Sequence, residues 1–69
     1  MLAQARVIAK GRRIRLVGRL VAQHGGRASR WVKKSSPRFE IADELFEYHW
    51  YEHPGIGRFG LKQKRVSQP

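Results

Sequence analysis

Between Arg12 and His24 the apolar residues Ile14, Val17, Leu20 and Val21 recur at steps of three and four, with Leu16 beside them. That spacing lines one face of a helix. Gly25-Gly26 follows with the residues that accept the left-handed conformation ending such helices, and His24 stands at the negative end of the helix dipole. Gly18 inside the segment weakens it by about 1 kcal/mol relative to Ala. Residues 2–10 either extend this helix or form a strand through Arg6-Val7-Ile8, and Gly11 is a natural break. Ser29 can cap a second, short helix carrying Trp31 and Val32. Ser35-Ser36-Pro37 closes it, because the residue before proline is pushed to extended backbone.

Beyond Pro37 the period changes from helical to alternating. Phe39 and Ile41 alternate with Arg38, Glu40 and Ala42, and Asp43-Glu44 reads as a turn. Residues 45–52 are aromatic-rich and alternate, Pro54-Gly55-Ile56-Gly57 is a turn signal, and residues 58–66 return as a strand. The pattern predicts a single α+β domain over residues 1–69. One or two N-terminal helices (helical half 1–36) pack on a three-stranded antiparallel meander (sheet half 37–66). Period-2 geometry would place Phe39, Ile41, Phe46, Tyr48, Trp50, Phe59 and Leu61 on the face under the helix. The other face would collect Arg38, Glu40, Glu47, His49, Tyr51, Arg58, Lys62 and Lys64.

Composition narrows what such a domain does. The chain has 69 residues with 15 Lys plus Arg against 5 Asp plus Glu, a formal net charge of +10. Residues 1–36 hold most of the cations and no acid, whereas residues 37–69 hold every acid and most of the aromatics. A hydrophobic content of 41% exceeds that of a disordered tail. A domain this size buries only ~60% of its unfolded surface, and without Cys it has neither disulfides nor thiolate ligands to staple it. No apolar run is long enough to span a membrane, and the N-terminus shows no apolar core of a signal peptide. Nucleic acid is the commonest partner for such a charge, and RNA is the expectation here. An acidic protein partner is compatible with it.

The polar sheet face carries groups that metal-free RNA cleavage needs. His49 or Glu47 can accept the 2′-hydroxyl proton, His49 or Tyr51 can protonate the leaving 5′-oxygen, and Arg58 or Lys62 can stabilise charge on the phosphate. The neighbouring cations would keep the carboxylate ionised. Arg12, Arg13, Arg15, Arg19, Lys33, Lys34, Arg38, Lys64 and Arg65 are the candidates for tracking phosphates, and Tyr51 for stacking on a base. The competing reading is plain: open faces of antiparallel sheets are normally polar, and cross-strand Glu–Lys or Glu–Arg pairs simply stabilise them. Trp31 and Trp50 read as core, and the glycine pairs as cap and turn. His49 and His53 would point to opposite faces of a strand, so no metal or other cofactor is expected.

Two blocks, HGGRASRWVKKSS (24–36) and HWYEHPGIGRFGLKQKR (49–65), resemble the small C-terminal toxin domains of bacterial polymorphic toxins, of the contact-dependent-inhibition and Rhs type. The resemblance covers roughly residues 12–66, and HWYEHPGIGR is its most specific part. Many such domains are similar to the barnase–EndoU–colicin–RelE ribonucleases, with N-terminal helices on a short antiparallel sheet that carries the site. The resemblance implies a metal-independent endoribonuclease acting on tRNA or mRNA. His49, Tyr51 and Glu47 would lie on its central strand, and Arg58, Lys62 and Lys64 on its last. It also implies an acidic immunity or antitoxin protein, and action in the cytoplasm after delivery at the end of a secreted protein. The chain is shorter than most such domains, which leaves a fourth strand unaccounted for. The alternative is a non-enzymatic nucleic-acid-binding module, ribosome-associated or regulatory.

Overall fold

The computed structural model describes residues 4–66. Strand β1 runs over Arg6–Lys10, the strand alternative for that segment; residues 2 and 3 lie outside the described residues. A 3-10 turn over Gly11–Arg13 leads to the α-helix, α1, over Val17–His24. The helix is shorter than the Arg12–His24 periodicity predicts. Gly11 takes φ 59° and donates its N–H to the Trp31 carbonyl at 2.9 Å, which turns the chain before a helix can begin. At the other end Gly25 donates to the Val21 carbonyl at 2.9 Å and caps α1 as its sequence suggests.

No second helix forms among the described residues. Ala28–Arg30 is a single 3-10 turn, and Val32–Ser35 is a strand, β2. The reason is pairing. β2 bonds to β1 on one side and to the long central strand on the other, and two ladders outweigh the helical preference of a few residues. Trp31, just before it, is fully buried, with its indole N–H donating to the Gly25 carbonyl at 3.0 Å.

β3 (Phe39–Ile41), β4 (Glu44–His53) and β5 (Gly57–Arg65) follow. Ala42 and Asp43, at φ 51° and 68°, make the two-residue turn between β3 and β4, whose twist matches the flanking strands. β4 is the spine of an antiparallel sheet. β5 pairs along one edge, while β2 and β3 share the other edge end to end, and β1 lies outside β2. Between β2 and β3, Ser36 holds β4 by donating its N–H to the Tyr48 carbonyl and accepting the Tyr48 N–H on its hydroxyl, each at 2.9 Å. The α+β class stands, but the sheet has five strands rather than three. Two of them, β1 and β2, come from the half expected to be helical.

The faces also differ from the alternation. Cross-strand partners share a face, and the β4–β5 register reads Glu47↔Lys64, His49↔Lys62, Tyr51↔Phe59 and Glu52↔Arg58. Between the second and third of these pairs the register shifts, so that Gly60 and Leu61 together oppose Trp50. This bulge, with Gly60 at φ 69°, reverses the parity of β5. Phe59 therefore joins Lys62 and Lys64, while Arg58 goes to the opposite face.

α1 packs at one end of the face that carries Tyr51 and Phe59. The core is Ile14, Val17, Leu20 and Trp31, flanked by Ala9, Val21, Ala28, Tyr51, Ile56 and Phe59. The His24 ring stacks on Phe59 with centroids 3.8 Å apart. Phe39, Ile41, Phe46, Tyr48, Trp50 and Leu61, expected beneath the helix, instead form the sheet's other face. There Phe39 stacks on Tyr48 and Phe46, with centroids 5.0 and 6.1 Å apart, and Leu61 is 65% exposed.

Candidate nucleic-acid interface

Beyond the end of α1, the helix-bearing face of the sheet continues as a polar surface. Its anchor is Glu47, a buried carboxylate on β4. Its Oε1 accepts hydrogen bonds from the Ser35 hydroxyl and from His49 Nε2, both at 3.0 Å. Its Oε2 accepts from Arg38 Nε at 3.3 Å and from Arg6 at 3.5 Å. Burial opposes ionisation, but the His49 hydrogen bond, those from Ser35 and Arg38, and the Arg6 charge outweigh it. They hold the carboxyl at about 2. Glu47 is thus ionised at neutral pH and placed to orient the His49 ring through their hydrogen bond.

His49 lies two residues along β4, on the same face. Its Nε2 is committed to Glu47, and its buried Nδ1 has no hydrogen-bond partner among the described residues. Beside it a depression is lined by Lys33, His49, Tyr51, Lys62 and Lys64, together with Trp50 and Gly60. Lys33 Nζ stands 5.8 Å from the centroid of the Tyr51 ring, a cation held against a π face. No carboxylate pairs with Lys33, Lys62 or Lys64 among the described residues. Three lysines thus line one depression with an imidazole and a phenol.

Of the residues singled out from sequence, His49, Tyr51, Lys62, Lys64 and Lys33 are brought together, with Glu47 behind them. Arg58 is not. It donates from Nε to Glu52 at 3.0 Å on the opposite face, where Lys34 also pairs with Glu52 at 2.9 Å. Arg38 is drawn to Glu47 and Arg65 to Glu44, so these two are partly neutralised. Arg13 and Arg15 are exposed and border a second depression, while Arg12 borders a third with Lys10 and Arg27. Arg19 is exposed on α1.

Ser35 and Arg6, which complete the set of donors around Glu47, are not among the residues the sequence singles out. No signal marked Ser35, which reads as part of a helix-closing turn. Arg6 becomes visible only once residues 6–10 are taken as a strand.

Among the described residues, no cluster of three His, Cys, Asp or Glu is placed to hold a metal ion. No described helix is long and apolar enough to cross a membrane. No family model, curated protein or solved structure matches the chain.

Proposed function

We propose that the chain is an RNA-binding domain of the toxin class, and that the depression around His49 seats a backbone phosphate. The observation that carries this reading is that Lys33, Lys62 and Lys64, without carboxylate partners among the described residues, line one depression with His49 and Tyr51. A phosphate there meets three ammonium donors, and a base next to it meets the Tyr51 ring. The sequence resemblance to polymorphic-toxin domains favours RNA over other polyanions. An acidic immunity or antitoxin protein would cover the same cations.

A second reading, metal-independent endoribonuclease, is favoured by the imidazole, phenol and ammonium groups in one depression. In it Lys62 stabilises the phosphate, Tyr51 and His49 move the protons, and Glu47 orients His49. Because Nε2 is tied and Nδ1 is buried, the His49 ring must turn for either nitrogen to reach a substrate.

Both readings are tested by incubating the purified chain with total bacterial RNA in EDTA, beside its His49→Ala and Lys62→Ala forms. Retarded but intact RNA, with retardation lost in Lys62→Ala, is the result expected of binding alone. Discrete fragments with cyclic phosphate ends, absent for His49→Ala, establish the ribonuclease. RNA neither retarded nor cut overturns both.

A further inference from the structure

We propose that the depression around His49 is one station of a two-station groove, and that its ligand is a single RNA strand whose next phosphate lies between Arg13 and Arg15. This rests on the reading that the His49 face binds RNA. The second depression is lined by Ala9, Arg13, Ile14, Arg15, Leu16, Lys33 and Tyr51, and so shares Lys33 and Tyr51 with the first. The shared wall is the lysine standing over the tyrosine ring. The two stations are therefore neighbours, one side-chain pair apart.

Their chemistry alternates along the groove. At one end Lys62 and Lys64 present ammonium groups, Lys33 stands in the middle, and Arg13 and Arg15 present guanidinium groups at the other end. The lining also includes the apolar Ala9 and Leu16 and the aromatic Tyr51. An unpaired nucleic-acid strand has the complementary alternation, with an anionic phosphate, a flat base and then the next phosphate. In a duplex the bases are paired and stacked inside, and cannot reach such a lining.

Electrostatics agree along the whole length. No carboxylate lines either station, and neither Arg13 nor Arg15 is paired with one among the described residues. Glu47 is paired with Arg6 and Arg38, and Glu52 lies on the other face of the sheet. The bulge at Gly60 is what assembles the first station, because it brings Lys62 and Lys64 onto the face that Lys33 and Tyr51 occupy.

The test is fluorescence anisotropy of a labelled oligo-uridine 12-mer and of a 12-base-pair RNA duplex, with the full chain. Its variants are Arg13→Gln/Arg15→Gln, Lys62→Gln/Lys64→Gln and Leu16→Ala. The exposed arginines can be replaced without touching the core, and circular dichroism checks each fold. The single strand is expected to bind at least about ten-fold tighter than the duplex. Each charge pair should lower the slope of log K against log salt by about 1.4, since each cation on single strands is worth ~0.7. Leu16→Ala should weaken binding of the strand with its salt slope unchanged. Binding by Arg13→Gln/Arg15→Gln equal to wild type, or duplex bound as tightly as strand, overturns the groove and leaves the RNA reading in place. A wild-type chain that binds neither RNA overturns both.

Discussion

Glu47 shows how a residue's role follows from its donors rather than from its type. In sequence it is one acid of five beside a histidine, a natural candidate for base catalysis. Folded, it accepts from Ser35, His49, Arg38 and Arg6, and its pKa falls to about 2 from an ordinary 4.5. The sign of the consequence is fixed. A carboxyl whose folded pKa is depressed stabilises the fold above its unfolded pKa, and loses that contribution as pH falls toward the folded value. Ionised Glu47 therefore contributes to the stability of a domain too small to have much in reserve. Thermal melts of the wild-type chain should therefore fall between pH 4.5 and pH 2. In Glu47→Gln the melting temperature at neutral pH should be lower and this acid limb shallower. Glu52 titrates in the same direction: burial raises its pKa, but hydrogen bonds from Lys34, Trp50 and Arg58 more than offset that, so some slope remains in the variant. An acid limb as steep in Glu47→Gln as in wild type would contradict the assignment.

Among the elements, the parts set by local rules could be read and the parts set by pairing could not. The apolar spacing of α1, the Gly25 cap and the β4–β5 hairpin around Pro54 each declare themselves within a few residues of sequence. β2 does not, because Val32-Lys33-Lys34-Ser35 has no alternation of its own and becomes a strand only through β1 and β4. Nor does the facing of β5. A strict period of two groups Phe59 with Leu61, and Arg58 with Lys62 and Lys64. One extra residue at Gly60–Leu61 exchanges those partners. His49, Tyr51, Lys62 and Lys64 were legible as neighbours because they stand on the far side of the bulge from Arg58 or on β4 itself.

The bulge also makes a prediction. Gly60 takes φ 69°, and a Cβ placed there would stand 3.1 Å from the Tyr51 ring. Gly60→Ala should cost ~1–2 kcal/mol for the left-handed backbone, and should displace Tyr51. Denaturant unfolding reads the loss, and the Tyr51 ring resonances read the displacement. An unchanged midpoint would mean that the register of β5 tolerates a regular ladder.

For the whole molecule, the five-stranded sheet separates two surfaces of different character. One carries α1 at one end and the Glu47–His49–lysine surface beyond it. The other carries aromatic side chains together with cations tied to Glu44 and Glu52. A net charge of +10 would draw RNA to any side of the protein. On the reading proposed above, RNA is held on the His49 face by cations that have no carboxylate partner among the described residues. Two triple variants with the same change in net charge decide it, Lys33→Gln/Lys62→Gln/Lys64→Gln on that face and Lys34→Gln/Arg58→Gln/Arg65→Gln on the other. The measurement is the salt dependence of single-stranded RNA affinity for each, beside wild type. Loss of about two units of slope in the first triple, with the second close to wild type, is the predicted result. Equal losses in the two, or a larger loss in the second, would show that net charge or the opposite face holds the RNA, and would contradict the site.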